Sequence, residues 1–418
     1  MSTEPPVPRA MATALAEALT TSPVVAVTGP RTAGKSTLAR EIVSGHNGTM
    51  LDLDDPAVRR LAAADPGAFV RGLPEPVVID EFQRAPDVLG AIKAELNRDL
   101  RPGRYVLAGS ARHQTVPELA DFLTGRVELL TLWPFAVAEL EAGASTIIDR
   151  LFDGTMLASR RATALSREDV VSLVLRGGYP IAVGLTPRGR QRWFANLATL
   201  VVERLDEGAG DRRAAQAGRF LRLLAARTAQ VTTAAEVGRE MELGRETAAD
   251  LMRLLELVYL VVPLPAWSVN LSARVTKRPK LHLVDSGLAA SLQGVDATGL
   301  SPVDPAAATR FGGLLETFVV TEILKQSGWA DTPTEAFHLR TSDGLEVDLV
   351  LQTPAGRIAA VEIKAGSRVG SSATRGLTYL RDRLGDRFVA GVVLTTGDQA
   401  QQIGDRIAVA PVDSLWRA

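Results

Sequence analysis

The chain has 418 residues, of which 46% are hydrophobic, and it carries 47 basic and 48 acidic side chains. This composition predicts a globular protein of about three domains, at roughly 150 residues per domain, and its near-zero net charge excludes a bulk electrostatic attraction to nucleic acid or membranes. The sequence contains no cysteine, which excludes disulfides and thiolate zinc sites and leaves carboxylates as the expected metal ligands, suited to Mg²⁺ or Mn²⁺.

The N-terminal segment lacks the features of a signal peptide, because Glu17 interrupts its apolar residues. The most apolar later stretch, residues 254–267, contains a glutamate and two prolines and is too short to span a bilayer. We therefore expect a cytoplasmic protein with no membrane partner.

A run of β-branched residues from Val24 to Val27 predicts a buried strand, and the motif G-x-x-x-x-G-K-[ST] follows it directly. Its glycines let backbone N–H groups surround phosphate oxygens, and the helix that opens near Lys35 directs its positive end toward them. Lys35 is expected to reach the outer phosphates and Ser36 to ligate Mg²⁺; an ordinary glycine-rich turn is the alternative. The expected nucleotide contacts are Gly29, Pro30, Arg31, Thr32, Ala33, Gly34, Lys35, Ser36 and Thr37.

Short apolar strands alternate with amphipathic helices as far as residue 131, a pattern typical of a parallel sheet covered on both faces. Residues 76–81 place Asp80 at the carboxyl end of a buried strand, where open α/β sheets bind ligands. Asp80 is expected to hold Mg²⁺ through water, and Glu81 to orient and deprotonate an attacking water. Two solvated acids at a strand end are the alternative. Asp55, before Pro56, predicts a helix N-cap rather than a metal contact.

Two further residues are candidates for the same site. Ser110 ends another predicted strand, and it is expected either to contact the γ-phosphate or the attacking water, or to lie in a plain turn. Arg126 precedes the strand at 127–132 and is a candidate to stabilise transition-state charge, in its own or a neighbouring subunit of a homo-oligomer. A surface arginine in a salt bridge is the alternative for Arg126.

The middle of the chain is predicted to be helical. Residues 151–213 form a helical lid, and residues 216–285 read as three helices and a hairpin, the order of a winged helix. Four basic residues of the hairpin are candidates to grip a DNA phosphate backbone; a solvated loop or a protein-docking wing is the alternative. They are Arg274, Lys277, Arg278 and Lys280.

The last part of the chain contains a second constellation. The strands at 345–351 and 358–364 are joined by a turn at 353–356, which predicts Asp348 opposite Glu362. Glu362 and Lys364 share a face because side chains alternate along a strand, and Glu316 lies near the start of a preceding helix. In this D…E-x-K arrangement the carboxylates of Glu316, Asp348 and Glu362 would hold one or two divalent ions, and Lys364 would steady the nucleophile or the developing charge. Such folds also serve as binding modules without cleavage.

These motifs together resemble the AAA+-type ATPases of bacteria and archaea that carry a C-terminal domain of unknown function. The resemblance rests on residues 29–37, 77–81, 107–110 and 123–126, on Leu132 to Phe135 with Glu139, and on the Gly-Gly motifs at 177–180 and 312–316. It implies an ATPase core followed by helices, a winged helix and a fold similar to PD-(D/E)xK nucleases.

The sequence thus predicts an α/β protein of four parts: a P-loop ATPase core at 1–150, a helical lid at 151–215, a winged helix at 216–295 and a nuclease-like α/β domain at 300–418. The leading interpretation is a Mg²⁺-dependent ATPase that acts on DNA through its C-terminal module. Two alternatives remain open. One is an ATP-gated DNA endonuclease using Mg²⁺ or Mn²⁺, and the other is a nucleotide-switched module that docks a protein partner.

Overall fold

The computed structural model describes residues 7–110, 121, 123–141, 146–158, 162–163, 165–204, 211–270, 274 and 277–417. The chain divides into two compact units, one formed by Met1–Phe135 with Leu257–Tyr259 and the other by Ala136–Glu256 with Leu260–Ala418. Within the described ranges, every helix is too short or too polar to cross a bilayer. The four-part division predicted from the sequence is finer than these two units and stays a prediction.

The first unit is an α/β layer structure built on a five-stranded parallel sheet, as predicted. The strand order is β2-β3-β4-β1-β5, and each neighbouring pair is parallel. Val24 and Ala26 pack into one apolar cluster and Val25 and Val27 into another, because successive side chains of a strand point to opposite faces. The elements are α1 (Met11–Thr21), β1 (Val24–Thr28), α2 (Lys35–His46), β2 (Thr49–Asp52), α3 (Pro56–Ala64), α4 (Pro66–Val70), β3 (Val77–Asp80), α5 (Asp87–Arg98), β4 (Tyr105–Gly109) and β5 (Val127–Thr131).

The second unit begins with helices and a small sheet. The antiparallel sheet has the order β6-β8-β7, so that β8 is its central strand. Helices α12 to α14 followed by the β7–β8 hairpin give the element order predicted for a winged helix. The elements are α6 (Val137–Leu140), α7 (Ile147–Phe152), α8 (Thr155–Ala158), α9 (Arg167–Arg176), α10 (Pro180–Val183), α11 (Pro187–Arg204), α12 (Asp211–Ala226), β6 (Gln230–Val231), α13 (Ala234–Glu240), α14 (Arg245–Leu257), β7 (Val261–Leu264), β8 (Lys280–Leu283) and α15 (Ser286–Leu292).

The rest of the second unit contains a mixed six-stranded sheet of order β13-β14-β12-β11-β10-β9. Strands β9, β10 and β11 are antiparallel neighbours, whereas β11, β12 and β14 are parallel. The elements are α16 (Pro305–Gln326), β9 (Glu335–Arg340), β10 (Glu346–Gln352), β11 (Ile358–Lys364), α17 (Arg375–Leu384), β12 (Phe388–Thr395), β13 (Gln401–Gly404) and β14 (Ile407–Pro411).

Side-chain caps fix several helix starts where the sequence predicts them. The N–H of Ala57 donates to Asp55 Oδ1 at 2.7 Å, which makes Asp55 the cap of α3. Thr233 and Glu236 form a reciprocal capping box at α13. Helix α16 is different, because it begins at Pro305 rather than near Gly313 and therefore places Glu316 in mid-helix.

The Gly-Gly-Tyr-Pro motif forms a turn between α9 and α10, and its first glycine has no room for a side chain. Gly177 has φ of +65°, and a Cβ there would lie 2.2 Å from Asp285 Oδ1. Asp285 is fully buried and accepts hydrogen bonds from the N–H groups of Gly178 at 2.7 Å and Leu288 at 2.9 Å. The turn therefore depends on glycine for both its backbone angle and its contact with Asp285.

We expect Gly177→Ala to lower the free energy of unfolding by about 3 kcal/mol, the sum of left-handed backbone strain and a disturbed buried hydrogen bond. Gly154→Ala is the matched control, because Gly154 has φ of +85° with no atom within 4 Å of an added Cβ. That control is expected to cost only about 1–2 kcal/mol. Urea denaturation of both variants measures the difference, and equal losses would show that the Asp285 contact adds nothing.

Candidate functional site

The glycine-rich loop runs from Gly29, directly after β1, to Gly34, which caps the start of α2. Gly29 has φ of +149°, and a Cβ there would lie 2.1 Å from the carbonyl oxygen of Leu132. Gly34 has φ of +102°, and its carbonyl accepts from the N–H of Leu38 at 3.0 Å. Both glycines are required by the path of the backbone, and the loop brings the amino end of α2 to the carboxyl edge of the sheet, where anions bind well.

Lys35 lies inside the bend of this loop. Its side chain is buried, and Nζ donates to the carbonyls of Gly29 at 3.0 Å and Pro30 at 2.8 Å. Burial lowers the pKa of Lys35 to about 8. A desolvated ammonium held among loop carbonyls gains most from an anionic ligand at the same place.

Ser36 and Asp80 come together at the carboxyl edge of the sheet. Asp80 ends β3 and is buried, and the side chain of Ser36 lies close enough to act on its carboxylate. Burial raises the pKa of Asp80, whereas the interaction with the Ser36 hydroxyl acts to lower it. Paired hydroxyl and carboxylate oxygens suit Mg²⁺, which takes one or two protein ligands and completes its shell with waters and substrate phosphates. These two residues therefore fit the ion that the motif implies.

Glu81 follows Asp80 in a left-handed backbone conformation, with φ of +53°. Its Oε2 accepts hydrogen bonds from Ser110 Oγ at 3.1 Å and from Gln83 Nε2. Such a conformation costs energy in a non-glycine residue, and residues of this kind often occur at functional sites. The turn directs the Glu81 carboxylate toward the end of β4, and Ser110 lies against that carboxylate.

Two residues that sequence reasoning missed also support the loop. Arg9 Nη1 donates to the carbonyl of Ala33 at 2.8 Å, and its Nη2 donates to the carbonyl of Trp133 at 2.7 Å. The hydroxyl of Tyr259 donates to Thr28 Oγ1 at 2.7 Å, directly before the loop. Neither residue belongs to a local motif, and only the folded chain brings them to this place.

Arg126 lies at the other edge of the sheet. The strand register pairs Val24 with Val127, so the start of β5 lies beside the start of β1. The glycine-rich loop follows the opposite end of β1, which is roughly 16 Å away because the strand has five residues. Arg126 Nη1 donates to Asn97 Oδ1 at 2.7 Å. The prediction that Arg126 acts on a nucleotide in its own subunit is therefore wrong, and action on a neighbouring subunit stays a prediction.

The strand register of the second unit agrees with the predicted D…E-x-K arrangement. The antiparallel ladder between β10 and β11, continued by one residue, sets Asp348 opposite Glu362. The N–H of Ile363 donates to Asp348 Oδ2 at 2.9 Å, and Lys364 Nζ donates to Glu362 Oε1 at 2.5 Å. The two strands thus bring both carboxylates and the motif lysine into one cluster.

Lys280 belongs to this cluster rather than to an exposed wing. Its Nζ lies 2.7 Å from Glu316 Oε1 and 3.0 Å from Asp348 Oδ1, and its side chain is only 6% exposed. Lys280 is the first residue of β8, the central strand of the small sheet, which directs the side chain inward. The prediction that Lys280 contacts DNA is therefore wrong.

The three carboxylates predicted as metal ligands do not form an open metal site. No group of three or more acidic or histidine side chains in the described ranges has an arrangement that could hold a metal ion. Burial, with the charge of Asp348 added, raises the pKa of Glu316 to about 8 and that of Glu362 to about 7. Burial by itself would lower the pKa of Lys280, but Asp348 and Glu316 hold it above its ordinary value. A lysine thus supplies the positive charge that the carboxylates need.

Arg274, a second predicted DNA contact, is bound internally. Its Nε donates to the carbonyl of Ser268 at 2.6 Å and its Nη2 to Gln352 Oε1 at 2.7 Å. The guanidinium also lies 4.9 Å from the ring centre of Phe337. These contacts occupy the guanidinium, so the prediction of a phosphate contact by Arg274 is not supported by its position.

The remaining two hairpin cations are exposed. Lys277 faces solvent, and Arg278 has a side chain that is 61% exposed, with Nη1 2.6 Å from Glu236 Oε1. Exposed ion pairs of this kind contribute little to stability and exchange partners easily. Of the four basic residues predicted to contact DNA, only Lys277 and Arg278 are therefore accessible to a phosphate backbone.

Family models match three successive parts of the chain. An AAA domain model matches residues 21–141, a model of a domain of unknown function (DUF8612) matches residues 167–299, and a second such model (DUF4143) matches residues 311–415. An uncharacterised protein of Mycobacterium tuberculosis and one of Mycobacterium bovis are each 29% identical to this chain over 412 residues, covering 97% of this chain and 84% of the relative.

Similar solved structures include a Walker-type ATPase of Pyrococcus abyssi, at 16% identity and a TM-score of 0.44, covering 70% of this chain and 99% of that one. The Holliday junction branch migration motor RuvB of Thermotoga maritima follows at 18% identity and a TM-score of 0.30, covering 61% and 89%. TM-scores this low assign nothing to this chain. The AAA domain match covers the glycine-rich loop, Asp80 and Glu81, and the last match covers Glu316, Asp348 and Glu362. The chain therefore carries an AAA-type ATPase domain at residues 21–141 and, at residues 311–415, this C-terminal domain of unknown function.

Proposed function

We propose that the first unit hydrolyses ATP with Mg²⁺, using Lys35, Ser36, Asp80 and Glu81. The observation that carries the proposal is the buried Lys35 ammonium, which donates to the carbonyls of Gly29 and Pro30 within the glycine-rich loop and lies close enough to Asp80 and Glu81 for their charges to raise its pKa. In this role Lys35 would neutralise phosphate charge, and Ser36 and Asp80 would hold the ion. When bound, Mg²⁺ supplies charge stabilisation to the phosphate oxygens.

In the proposed reaction, Glu81 accepts the proton of the attacking water. A water oxygen bonds to the γ-phosphorus, the bond between that phosphorus and the bridging oxygen breaks, and the carboxylate of Glu81 takes the water proton. Ser110 and Gln83 hold the carboxylate in place through the hydrogen bonds they donate to it. In this account Ser110 is a positioning residue for Glu81 rather than a direct phosphate contact.

Phosphate release by the full chain tests this function. With ATP and Mg²⁺ we expect steady turnover that stops on addition of EDTA and returns with excess Mg²⁺, because the ion and the nucleotide share the site. Turnover that continues unchanged in EDTA would contradict the role of Ser36 and Asp80 as ion ligands.

We propose that the nucleotide cycle acts on the second unit and that this unit contacts DNA through the hairpin. The exposure of Lys277 and Arg278 supports the DNA part, because phosphate contacts by lysine and arginine supply most non-specific affinity. A protein partner at the same hairpin is the alternative. The nuclease alternative is not supported, because it requires a divalent ion where Lys280 lies.

We expect the double change Lys277→Ala/Arg278→Ala to weaken binding to duplex DNA and to reduce the slope of log K against log salt by about 2, one per lost phosphate contact. Fluorescence anisotropy at several salt concentrations measures both quantities. Arg188→Ala/Arg192→Ala removes the same charge from an exposed part of α11 and is the control. Equal losses in the two double variants would argue against a hairpin site and in favour of a protein partner there.

A further inference from the structure

The charged cluster of the second unit, formed by Lys280, Glu316, Asp348, Glu362 and Lys364, already contains a cation at its centre. Lys280 Nζ contacts one oxygen of Glu316 at 2.7 Å and one of Asp348 at 3.0 Å. These two carboxylates come from different elements, α16 and β10. One positive atom thus bridges two oxygens from separate parts of the fold, as a bound divalent ion commonly does.

The position of Lys280 is fixed by its strand. Its residue pairs with Val231 on β6 and with Leu264 on β7, so its backbone is held from both sides. Its side chain is only 6% exposed, so the ammonium is shielded from solvent while β8 keeps its place. The ammonium is therefore part of the folded cluster.

One carboxylate oxygen of the cluster, Glu362 Oε2, accepts no hydrogen bond in the described part of the chain. This oxygen is buried, whereas Oε1 of the same residue is held by Lys364. A buried carboxylate oxygen without a partner is costly. It shows that the cluster has more carboxylate oxygens than its lysines satisfy.

We propose that the Lys280 ammonium takes the place of a divalent cation in this cluster, so that the native chain binds no Mg²⁺ or Mn²⁺ there and removal of the ammonium opens a latent metal site. A fixed positive charge at contact distance from Glu316 and Asp348 repels a second cation and occupies its oxygens. Without it, the oxygens of Glu316 and Asp348 that now contact the ammonium are left to bind a hard cation. In the native chain, where Lys280 is in place, we therefore expect the second unit to work as a closed ion-paired module rather than as a metal-dependent nuclease.

Mn²⁺ binding followed by electron paramagnetic resonance tests this proposal on the full chain without nucleotide. Every protein carries Asp80→Asn, so that the ATP site does not contribute. The series compares the parent chain, Asp348→Asn, Lys280→Met, and Lys280→Met with Asp348→Asn. Lys325→Met is the matched control, because Lys325 is also buried and also paired with a carboxylate, that of Glu322 at 2.6 Å.

We expect the parent chain and Lys325→Met to show no Mn²⁺ signal that depends on Asp348. Lys280→Met is expected to bind one Mn²⁺ with an affinity at least about 100-fold higher than the parent, because a like charge has been removed from contact distance. The added Asp348→Asn change is expected to abolish that binding. Lys280→Gln, which keeps a hydrogen-bond donor for the carboxylates, repeats the test if the methionine variant does not fold.

Two results would overturn the proposal. One is Mn²⁺ binding by the parent chain that disappears with Asp348→Asn, which would show that the ion displaces Lys280. The other is a folded Lys280 variant that gains no Mn²⁺ affinity, which would show that the carboxylates do not form a latent site. Both outcomes are independent of ATP hydrolysis, since they concern the second unit alone.

Discussion

Replacing Glu81 with glutamine is expected to reduce ATP turnover by about 10²–10⁴-fold while leaving ATP affinity unchanged, because an amide cannot take the proton of the attacking water. The amide keeps the size of the side chain and an oxygen that accepts from Ser110. Binding depends on Lys35 and the loop, which the change does not touch. Initial rates of phosphate release and calorimetric titration with ATP measure the two effects separately.

Glu128→Gln is the matched control for this prediction. Glu128 lies in the same sheet, on β5, and its Oε2 accepts a hydrogen bond from Ser22 Oγ at 2.8 Å, much as Glu81 accepts from Ser110. Because it lies away from the loop, the control is expected to keep full turnover. If Glu81→Gln binds ATP and hydrolyses it at the rate of the control, Glu81 has no part in the chemistry.

Replacing Lys35 with alanine is expected to weaken ATP binding by at least about 100-fold. Charge-assisted hydrogen bonds contribute roughly 1.5–3 kcal/mol each, and each 1.4 kcal/mol is a factor of ten in affinity. The ammonium now bound to the carbonyls of Gly29 and Pro30 is the group that would move onto the phosphates. Calorimetric titration measures the loss.

Lys93→Ala controls for the removal of a lysine from the same unit, since Lys93 lies on α5 and makes a hydrogen bond to the carbonyl of Asp121. Its ATP affinity is expected to match that of the parent chain. Circular dichroism of both variants shows whether the fold is kept. A folded Lys35→Ala protein with parental affinity would remove this lysine from the site.

Local patterns predicted the parts of the fold in which neighbouring residues decide the outcome. The strand before Gly29, the position of Asp80 at a strand end and the Asp55 cap each depend on a few adjacent residues. The pairing of Asp348 with Glu362 followed from one turn, because a hairpin turn fixes the register of its strands. In these regions propensity, pattern and tertiary packing favour the same structure.

Contacts between residues that are far apart in the sequence could not be predicted from local patterns. Lys280 contacts Glu316 and Asp348, which lie 36 and 68 residues further along the chain. The run of basic residues around Lys280 predicted instead that its side chain is exposed to solvent or contacts DNA. Arg9 and Tyr259 reach the glycine-rich loop in the same way, from positions without any local motif. Each of these contacts depends on the tertiary arrangement of the chain, which local patterns do not reveal.

Two errors have a plainer physical origin. Arg126 starts a parallel strand, and parallel strands begin at the edge opposite to the one where they end, so a residue before β5 cannot lie beside a loop after β1. The start of α16 was predicted too late, with Glu316 near the start of the helix, whereas the helix begins at Pro305. The helix continues through Gly312 and Gly313, and an added Cβ at Gly313 would lie 3.3 Å from the carbonyl of Thr228, which indicates close packing against that backbone.

The most direct test of this account is calorimetric titration of the full chain with ATP in the presence of Mg²⁺. Because the loop, Lys35, Ser36 and Asp80 are proposed to form one site, we expect saturable binding of one ATP per chain that weakens when Mg²⁺ is removed. A titration that detects no binding of ATP to the folded chain would contradict the proposed site and every role assigned to its residues.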